Sequence, residues 1–347
     1  MSQESDAIND SLTINNLFLP FFTIFATTAE AQSDAEVVPW GIPRIEANLN
    51  GSVTRPLEGA AVAVIDTGVD GGHPDLNVVG GVSWVRGEDW DDGNGHGTHV
   101  AGTIGAKNTG SGLIGAAPGT AIWALRVLDS YGSGSFSSVV QSLLWVAKNG
   151  RAKGIRVVNM SLGGDGGEGS AGSATCQAVK QVVAAGIAVV AAAGNAAGMG
   201  AGSWTTQLPA ACEDIIVATA MNSAGSPAGF SFFLGAADSG PDRARQRTVA
   251  APGVDVRSTW PSKLGKSYHT ISGTSMASPH VAAVTAKCFA AGVCTGGAQA
   301  VDAVAAAARA RNLGDSAYGY ARDPFFARSR VGVDRYYGAL VHAGWRA

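Results

Sequence analysis

Five short apolar runs recur along the first two thirds of the chain, and they restrict its fold more than any other feature. They are AAVAVID (60–66), AIWALRVL (121–128), RVVNMSL (156–162), GIAVVAAAGN (186–195) and DIIVATA (214–220). Alternation of apolar and polar residues is typical of a strand with one face in water, whereas a continuous apolar run is typical of a strand buried on both faces. The runs therefore predict the strands of a central parallel sheet.

Segments with helical spacing lie between these runs. The apolar residues that share a helix face are Val139, Val140, Leu143, Leu144 and Ala147, and then Ala178, Val179, Val182 and Val183. Gly150 and Gly186 follow them, as is typical of helix ends. Alternating strands and helices indicate an α/β fold of three αβα layers around a mainly parallel sheet, with functional residues at the carboxyl ends of the strands.

Composition limits the domain organisation and the partners. The chain has 347 residues, of which 46% are apolar and 15% charged, and its net charge is −3. That length suits one large domain or two small ones, and no internal repeat or linker divides it. We predict an N-terminal extension at 1–36, one domain at 37–311 and a C-terminal extension at 312–347. The small negative charge gives no indication of a nucleic-acid partner.

An apolar run near the N-terminus, LFLPFFTIFA (17–26), bears on export and membrane insertion. It is too short to cross a bilayer, so we expect no stable membrane insertion. The tripeptide AEA (29–31) resembles a signal-peptidase site, although no Lys or Arg precedes it. We expect a protein that is secreted or that resides in an endomembrane or vacuolar lumen.

Polar residues of complementary chemistry stand at the ends of the predicted elements. Asp66 ends the first predicted strand and Asn195 ends the fourth. His96 lies between glycines ahead of an apolar segment, and Ser275 begins another. A serine hydroxyl becomes a nucleophile when an imidazole takes its proton, and a carboxylate holds that imidazole in place. A further group must donate hydrogen bonds to the oxyanion, so these residues supply one group for each role.

Three motifs surround these residues, namely DTG (66–68), HGTHVAG (96–102) and GTSMASP (273–279). With them the chain resembles the subtilisin-like serine proteases, the subtilase family, over about residues 38–290. The resemblance implies a subtilisin-like fold and endopeptidase activity. It implies that Asp66 orients His96, which acts as general base and then acid, and that Ser275 is the nucleophile. It also implies that Asn195 donates to the oxyanion, together with the backbone N–H of Ser275.

The same resemblance assigns a substrate cleft. Segments on its two sides would flank an extended substrate backbone, and a third would form a wall of the S1 pocket. The residues implied are Gly132, Ser133 and Gly134, then Ser161, Leu162 and Gly163, then Ala193 and Gly194. Glycines at these positions let a peptide approach the backbone closely and add as a strand.

Other polar residues beside the motifs have simpler interpretations. Those interpreted as structural histidines are His73, His99 and His280. Those interpreted as turn and capping groups are Ser272, Thr274 and Ser278. Pro279 then falls in the first turn of a helix, where its missing N–H costs nothing.

Four cysteines are present, and none forms a CxxC pair, so a zinc or thioredoxin-like site is not predicted. The residues alone leave open either four buried thiols or two disulfides. The resemblance predicts a bridge between Cys176 and Cys212, because many exported subtilases have a cysteine at each place. We also predict a bridge between Cys288, at a helix end, and Cys294, in the following loop.

No cofactor is expected for catalysis, but the resemblance raises a structural calcium ion. The family's site uses an aspartate in the HPDL turn, which Asp75 matches, and a loop after the histidine helix, where Asn108 or Thr109 lies near the side-chain ligand position. A second candidate, for which a solvated acidic turn is the alternative, is the loop with Glu88, Asp89, Asp91 and Asp92.

The predicted function is that of a monomeric serine endopeptidase acting on extended polypeptides through an acyl-enzyme, with broad specificity and a preference for apolar or aromatic P1 residues. The alternative is a catalytically silent binding protein of the same fold. An esterase of the α/β-hydrolase type is disfavoured, because GTSMA around Ser275 lacks the final glycine of G-x-S-x-G.

Exported subtilases usually carry an N-terminal prodomain. The segment ahead of Val38 is too short to fold as an independent domain. We therefore expect that this prodomain is missing or that it lies upstream of the sequence given.

Overall fold

The computed structural model describes residues 35–47, 58–166, 173–196, 202–235, 243–315, 317–319 and 334–345, together with the backbone of short strands at 16–18 and 327–328. Its helices are α1 (Gly41–Arg44), α2 (His96–Gly105), α3 (Phe136–Asn149), α4 (Ala174–Ala184), α5 (Arg243–Gln246), α6 (Thr274–Ala290) and α7 (Gly297–Gly314). Short 3₁₀ turns lie at Arg151–Lys153, Trp204–Thr206 and Ser262–Leu264.

The strands are β1 (Asn16–Phe18), β2 (Ala61–Asp66), β3 (Val78–Ser83), β4 (Ile122–Arg126), β5 (Ser133–Ser135), β6 (Ile155–Met160), β7 (Gly164–Asp165), β8 (Ala188–Ala192), β9 (Gln207–Leu208), β10 (Ile216–Met221), β11 (Leu234–Gly235), β12 (Thr248–Pro252), β13 (Val256–Thr259), β14 (Tyr268–Ile271), β15 (Ala327–Arg328), β16 (Asp334–Tyr336) and β17 (Ala339–Leu340).

The central sheet has eight strands in the order β17-β12-β10-β8-β6-β2-β4-β3. Each neighbouring pair in it is parallel. The five predicted strands are β2, β4, β6, β8 and β10, which stand side by side in the middle of the sheet. The prediction of a mainly parallel central sheet is confirmed.

The residues of β2 show why these strands are apolar throughout. Val62 and Val64 belong to the core that contains α2, α6 and α7. Ala63 and Ile65 belong to the core that contains α3 and α4, on the opposite face of the sheet. Because neither face is in contact with water, both sets of side chains must be apolar. The three-layer arrangement follows from these two cores, as predicted.

The outer strands of the sheet are absent from the sequence prediction. The edge strand β3 reads VVGGVS and is partly exposed, so it lacks an apolar run. The strand β12 is fully buried but ends in Pro252, and β17 has two residues. Signals of this kind are too short or too irregular to be recognised as strands.

The predicted C-terminal extension begins inside α7 and packs on the rest of the domain. Its strand β17 pairs in parallel with β12 at one end of the central sheet. The buried Asn312 donates to the carbonyl of Leu340 at 2.9 Å and accepts from the amide of the same residue at 3.2 Å. The described part of 312–347 therefore adds to the same sheet and core.

Most of the predicted N-terminal extension lies outside the described residues, including the AEA tripeptide and all of the apolar run beyond Phe18. Within the part of the chain that is described, none of the helices combines the length and the apolar character that crossing a bilayer requires.

Candidate active site

Asp66 and His96 meet at the carboxyl end of β2. The Oδ1 atom of Asp66 lies 2.7 Å from Nδ1 of His96, and it also accepts the backbone N–H of Thr67 at 2.8 Å. Both side chains are buried, with 0% and 1% of their surface exposed. A carboxylate in this position holds the proton on Nδ1, so the other ring nitrogen is the one that exchanges a proton with a further group.

A second buried carboxylate, Asp92, fixes the start of α2 against the end of β2. It accepts hydrogen bonds from the hydroxyl of Thr67 at 2.9 Å and from the backbone N–H groups of Gly95 and Thr98, both at 2.9 Å. The Thr67 oxygen in turn accepts the N–H of Gly97 at 2.9 Å. Burial raises the pKa of Asp92, and the hydrogen bonds from Gly95 and Thr98 oppose the increase. The network sets the position of His96 relative to Asp66.

Ser275 lies in the first turn of α6 and is joined to the segment that follows β6. Its hydroxyl donates to the carbonyl of Ser161 at 3.1 Å, and the Ser161 hydroxyl donates to the carbonyl of Ser275 at 2.7 Å. The strands β6 and β2 are neighbours, with Met160 opposite Ile65. The serine therefore lies at the same edge of the sheet as Asp66.

Asn195, just after β8, is held by the neighbour of the serine. Its Oδ1 atom accepts from the backbone N–H of Thr274 at 2.9 Å and from the Thr274 hydroxyl at 3.0 Å. Nδ2 of Asn195 and the backbone N of Ser275 each lie 3.6 Å from the position that a Cβ of Gly273 would occupy. Two nitrogen donors thus flank one small space beside the serine, which is the arrangement that an oxyanion requires.

The capping interpretation of three residues near Ser275 is wrong. The N-cap of α6 is Gly273, and no side chain caps the helix. The hydroxyl of Ser272 accepts the N–H of Asp255 at 2.8 Å, and that of Ser278 donates to Asn159 at 2.7 Å. Thr274 instead orients the asparagine amide. All three hydroxyls are used in tertiary contacts that local sequence patterns cannot reveal.

Comparison with known proteins decides the family. The profile described as the subtilase family matches residues 58–320. Subtilisin DY from Bacillus licheniformis is 41% identical over 285 residues, which are 82% of this chain and 95% of that relative. The chain belongs to the subtilase family. It is a serine-type endopeptidase.

Two further comparisons place this subtilase among its relatives. It is 41% identical over 268 residues to M-protease of Shouchella clausii, which covers 77% of this chain and 63% of that relative's length. The crystal structure of a cold adapted subtilisin-like serine proteinase matches with a TM-score of 0.62 and 32% identity, over 79% of this chain and 91% of that chain. The fold expected from the motifs is therefore that of a solved relative.

A cleft of about 540 Å³, open to solvent, leads away from the serine of the subtilase. Its lining contains Leu162, Gly163, Gly164, Ala192, Gly194, Asn195, Gln207, Thr274 and Ser275. Ala193, which we predicted as a wall residue, instead packs in the core beside α3 and α4. Successive residues of an extended segment point in opposite directions, so its neighbours Ala192 and Gly194 line the cleft in its place.

The strand β5 contains the predicted residues Ser133 and Gly134, and Gly132 precedes it in a left-handed conformation with φ of 79°. Gly134 has no room for a side chain, because a Cβ there would meet the carbonyl oxygen of Val127. The strand β5 also pairs antiparallel with β1 of the same chain, with Leu17 opposite Gly134. The strand therefore accepts an extended segment by backbone pairing.

Both predicted disulfides are confirmed. Cys176, in the first turn of α4, is bridged to Cys212 ahead of β10, with a Cα–Cα distance of 5.0 Å. Cys288, near the end of α6, is bridged to Cys294, with a Cα–Cα distance of 5.2 Å. The first bridge ties the helix before β8 to the segment that follows β9, beside the cleft.

The residues proposed for calcium are bonded to protein groups in the structure. The buried Asp75 accepts, through Oδ2, the hydroxyl of Tyr268 at 2.9 Å and the N–H of Leu113 at 3.2 Å. The side-chain amide of Asn108, with its nitrogen turned to Glu36, lies 3.0 Å and 3.2 Å from the two carboxylate oxygens. Protein donors thus bind Oδ2 of Asp75 and both carboxylate oxygens of Glu36.

The loop after Asn108 is held in the same way. The backbone N–H groups of Thr109 and Gly110 donate to Oε1 of Glu36 at 2.9 Å and 3.1 Å. Elsewhere in the described residues, no three His, Cys, Asp or Glu side chains converge as metal ligands would.

In the acidic loop, protein cations pair with two of the four carboxylates. Glu88 pairs with the buried Arg126, and Asp91 pairs with Lys263. Asp92 is the buried carboxylate at the start of α2. These contacts favour a structural loop over the second calcium candidate.

The three histidines interpreted as structural, His73, His99 and His280, have contacts with the backbone. Nε2 of His99 lies 2.9 Å from the carbonyl of Val256, and burial lowers the pKa of His99 to about 3. Nδ1 of His280 lies 2.8 Å from the carbonyl of Met276, and burial lowers its pKa to about 4. His73 lies 3.0 Å from the carbonyl of Ser267. Each ring is thus engaged by backbone.

The sequence analysis does not predict the contacts of three side chains near this site. Thr274 belongs to a recognised motif, so its position next to Ser275 is the available signal. Asp92 is predicted as part of a second calcium candidate or of a solvated acidic turn, although it precedes His96 by four residues. Gln207 lies in no motif, and nothing in the sequence alone places it in the cleft.

Proposed function

We propose that this subtilase hydrolyses peptide bonds through an acyl-enzyme on Ser275. The proposal is supported chiefly by the buried 2.7 Å contact between Asp66 and His96, at the sheet edge where Ser275 lies in the first turn of α6. A carboxylate–imidazole pair beside a serine hydroxyl is the arrangement that turns the hydroxyl into a nucleophile.

In this mechanism the Ser275 hydroxyl leaves the Ser161 carbonyl by rotating its side chain and attacks the scissile carbonyl carbon. His96 takes the hydroxyl proton through Nε2, while Asp66 stabilises the imidazolium. The oxyanion receives hydrogen bonds from Asn195 Nδ2 and from the backbone N–H of Ser275. The C–N bond then breaks as His96 gives its proton to the leaving amine, and water hydrolyses the ester by the same route.

The substrate is an extended polypeptide whose backbone pairs with β5 on one side of the cleft and with the segment Ser161–Leu162–Gly163 on the other. The pairing of β1 with β5 supports this mode, because an extended segment already uses that edge. Leu162, Ala192 and Gly194 give the S1 pocket apolar walls. They support broad specificity with a preference for apolar or aromatic P1 residues.

Further features of the proposal extend beyond the chemistry. The proton transfers use protein groups alone, so catalysis needs no cofactor. We place the subtilase outside the cell or in an endomembrane or vacuolar lumen, acting as a monomer, and its two disulfides support an oxidising compartment. A structural calcium ion at Asp75 stays a prediction. An increase in Tm with calcium that the variant Asp75→Asn loses would support it.

Ser275→Ala tests the mechanism, with the exposed Ser137→Ala on α3 as the control. We expect the first variant to lose casein cleavage and fluorophosphonate labelling, and the second to retain both. Wild-type turnover by Ser275→Ala would refute the assignment of the nucleophile. A wild-type protein that neither cleaves casein nor reacts with the probe would instead favour the silent binding protein.

A further inference from the structure

The S1 pocket ends at Gln207. Its outer wall runs from Leu162 along β7, which leads away from the contact between Ser161 and Ser275. The strand β9 pairs antiparallel with β7, with Leu208 opposite Gly164 and Gln207 opposite Asp165. The pair of Gln207 and Asp165 lies one residue farther along β7 from Ser161 than the pair of Leu208 and Gly164. Gln207 therefore lies at the far end of the pocket.

The polar side chains at the near end of the pocket are already engaged in the catalytic arrangement. Oδ1 of Asn195 accepts two hydrogen bonds from Thr274, and the Thr274 hydroxyl accepts the N–H of Gly194 at 3.1 Å. Gln207 differs from them. Its amide nitrogen has a hydrogen bond of 3.4 Å to the hydroxyl of Thr206, which is at the long limit for such a bond. The amide thus retains capacity to bind another group.

Hydrogen bonds hold the backbone of Gln207, and its side chain lies beside Gly194 in the pocket wall. Its carbonyl accepts the N–H of Ala211 at 2.6 Å, in addition to the pairing of β9 with β7. Its Cγ atom lies 3.5 Å from the position that a Cβ of Gly194 would occupy. The absence of a side chain at Gly194 gives the glutamine stem its place against this wall.

We propose that Gln207 is a specificity-determining residue that selects P1 side chains with a hydrogen-bonding group at the tip, tyrosine in preference to phenylalanine. The inference rests on the proposed function, because it needs a peptide substrate in this pocket. The apolar walls take the ring of either residue. A tyrosine hydroxyl then binds the amide, which offers both an acceptor oxygen and donor hydrogens. A phenylalanine ring displaces the water that binds the Gln207 amide, and it offers no hydrogen bond in place of the water.

The test compares two peptides that differ at P1 alone, tyrosine against phenylalanine, by their kcat/KM values. For the wild type we expect a ratio of about 3 to 10, the effect of one partly exposed hydrogen bond between neutral groups. Gln207→Met keeps the length of the side chain and removes the amide, so the ratio should fall to about 1 while cleavage after phenylalanine is retained. Gln207→Ala should give the same ratio.

The matched control is Gln141→Met. Gln141 is exposed on α3, outside the pocket, and its amide nitrogen has the same 3.4 Å contact, there with the hydroxyl of Ser137. This variant should keep the wild-type ratio. Both peptides are measured on the same preparation, so partial misfolding does not alter the ratio. Fluorophosphonate titration gives the active fraction that the separate kcat/KM values require.

The outcomes separate the two proposals. A wild-type ratio of 1 or less, or a ratio that Gln207→Met and Gln207→Ala leave unchanged, overturns the role of Gln207 alone. If the wild type cleaves neither peptide and does not react with the probe, the proposed function fails and this inference fails with it.

Discussion

Two helices on one face of the sheet, α2 and α6, are buried more deeply than α3 and α4 on the other face. In α2 all ten residues are buried, and in α6 fifteen of seventeen are. On the other face, four of fourteen residues are buried in α3 and five of eleven in α4. His96 and Ser275, the proposed catalytic residues, both belong to this buried pair, so the proposed chemistry lies on helices with little exposed surface.

Small residues make this burial possible. Gly102 of α2 packs directly against Ser258 and Thr259 of β13. A Cβ atom on residue 102 would lie 2.5 Å from the hydroxyl oxygen of Ser258. By contrast, α3 turns Val139, Leu143 and Val146 to the core and the rest of its surface outward. A helix enclosed on all sides cannot shift without disturbing its neighbours, which keeps the reacting groups in place.

The largest expected difference between the two faces is in catalysis. Asn195→Leu removes the amide that α6 holds through Thr274, and it should lower kcat by about 10²- to 10³-fold, the size of effect known for the side-chain oxyanion donor of subtilisin itself. Asn149→Leu, at the end of α3, removes an amide that donates to Trp145 at 2.8 Å and should leave kcat unchanged. Steady-state kinetics on one peptide measures both. Equal values of kcat for Asn195→Leu and the wild type would remove Asn195 from the mechanism.

A smaller difference is expected in stability. Gly102→Ala places a methyl group against Ser258 and Thr259, so it should lower the free energy of unfolding by about 1–3 kcal/mol. Gln141→Ala on the exposed side of α3 should change that free energy by less than about 0.5 kcal/mol. Denaturant unfolding in a Ser275→Ala background, which prevents self-digestion, measures both. A loss for Gly102→Ala no greater than that for Gln141→Ala would contradict the close packing of α2.

A third expected effect concerns the pH dependence of unfolding. Burial keeps the pKa of His99 at about 3 in the folded protein, against a usual value of 6.5. Between these pH values the unfolded chain binds a proton that the folded chain does not, so stability is greatest above pH 6.5 and falls with acidification. His99 contributes about 1.4 kcal/mol per pH unit to this slope. His99→Gln should therefore flatten the pH dependence of unfolding between about pH 6 and 4 by that amount. An unchanged slope would mean that His99 is protonated in the folded state.

The same difference in burial explains what the sequence could predict. The helices α3 and α4 have one apolar face, so the spacing of Val139, Leu143 and their counterparts reveals them. The helices α2 and α6 are enclosed, and small or apolar residues occur on every side of them. Periodicity is therefore weak there, and the motifs around His96 and Ser275 located these helices instead.

Side-chain partners were harder to predict than elements. Thr274 was interpreted as a cap because threonine before a helix usually is one, and its bond to Asn195 joins residues far apart in the chain. Gln207 enters the pocket only through the pairing of β9 with β7, two strands of two residues each. Contacts of this kind depend on register between distant segments, which no local pattern records. The Cys176–Cys212 bridge was predictable because the resemblance supplied that register, and the Cys288–Cys294 bridge because its two cysteines are close in the chain.

The pairing of β1 with β5 also affects how the cleft encounters other peptides. Asn16–Phe18 belongs to the same chain as β5, so a peptide from solution that pairs with this edge must displace it. Such competition is intramolecular, and dilution of the protein does not weaken it. Occupancy of the edge by an outside peptide is therefore governed by the concentration of that peptide and not by the concentration of the enzyme.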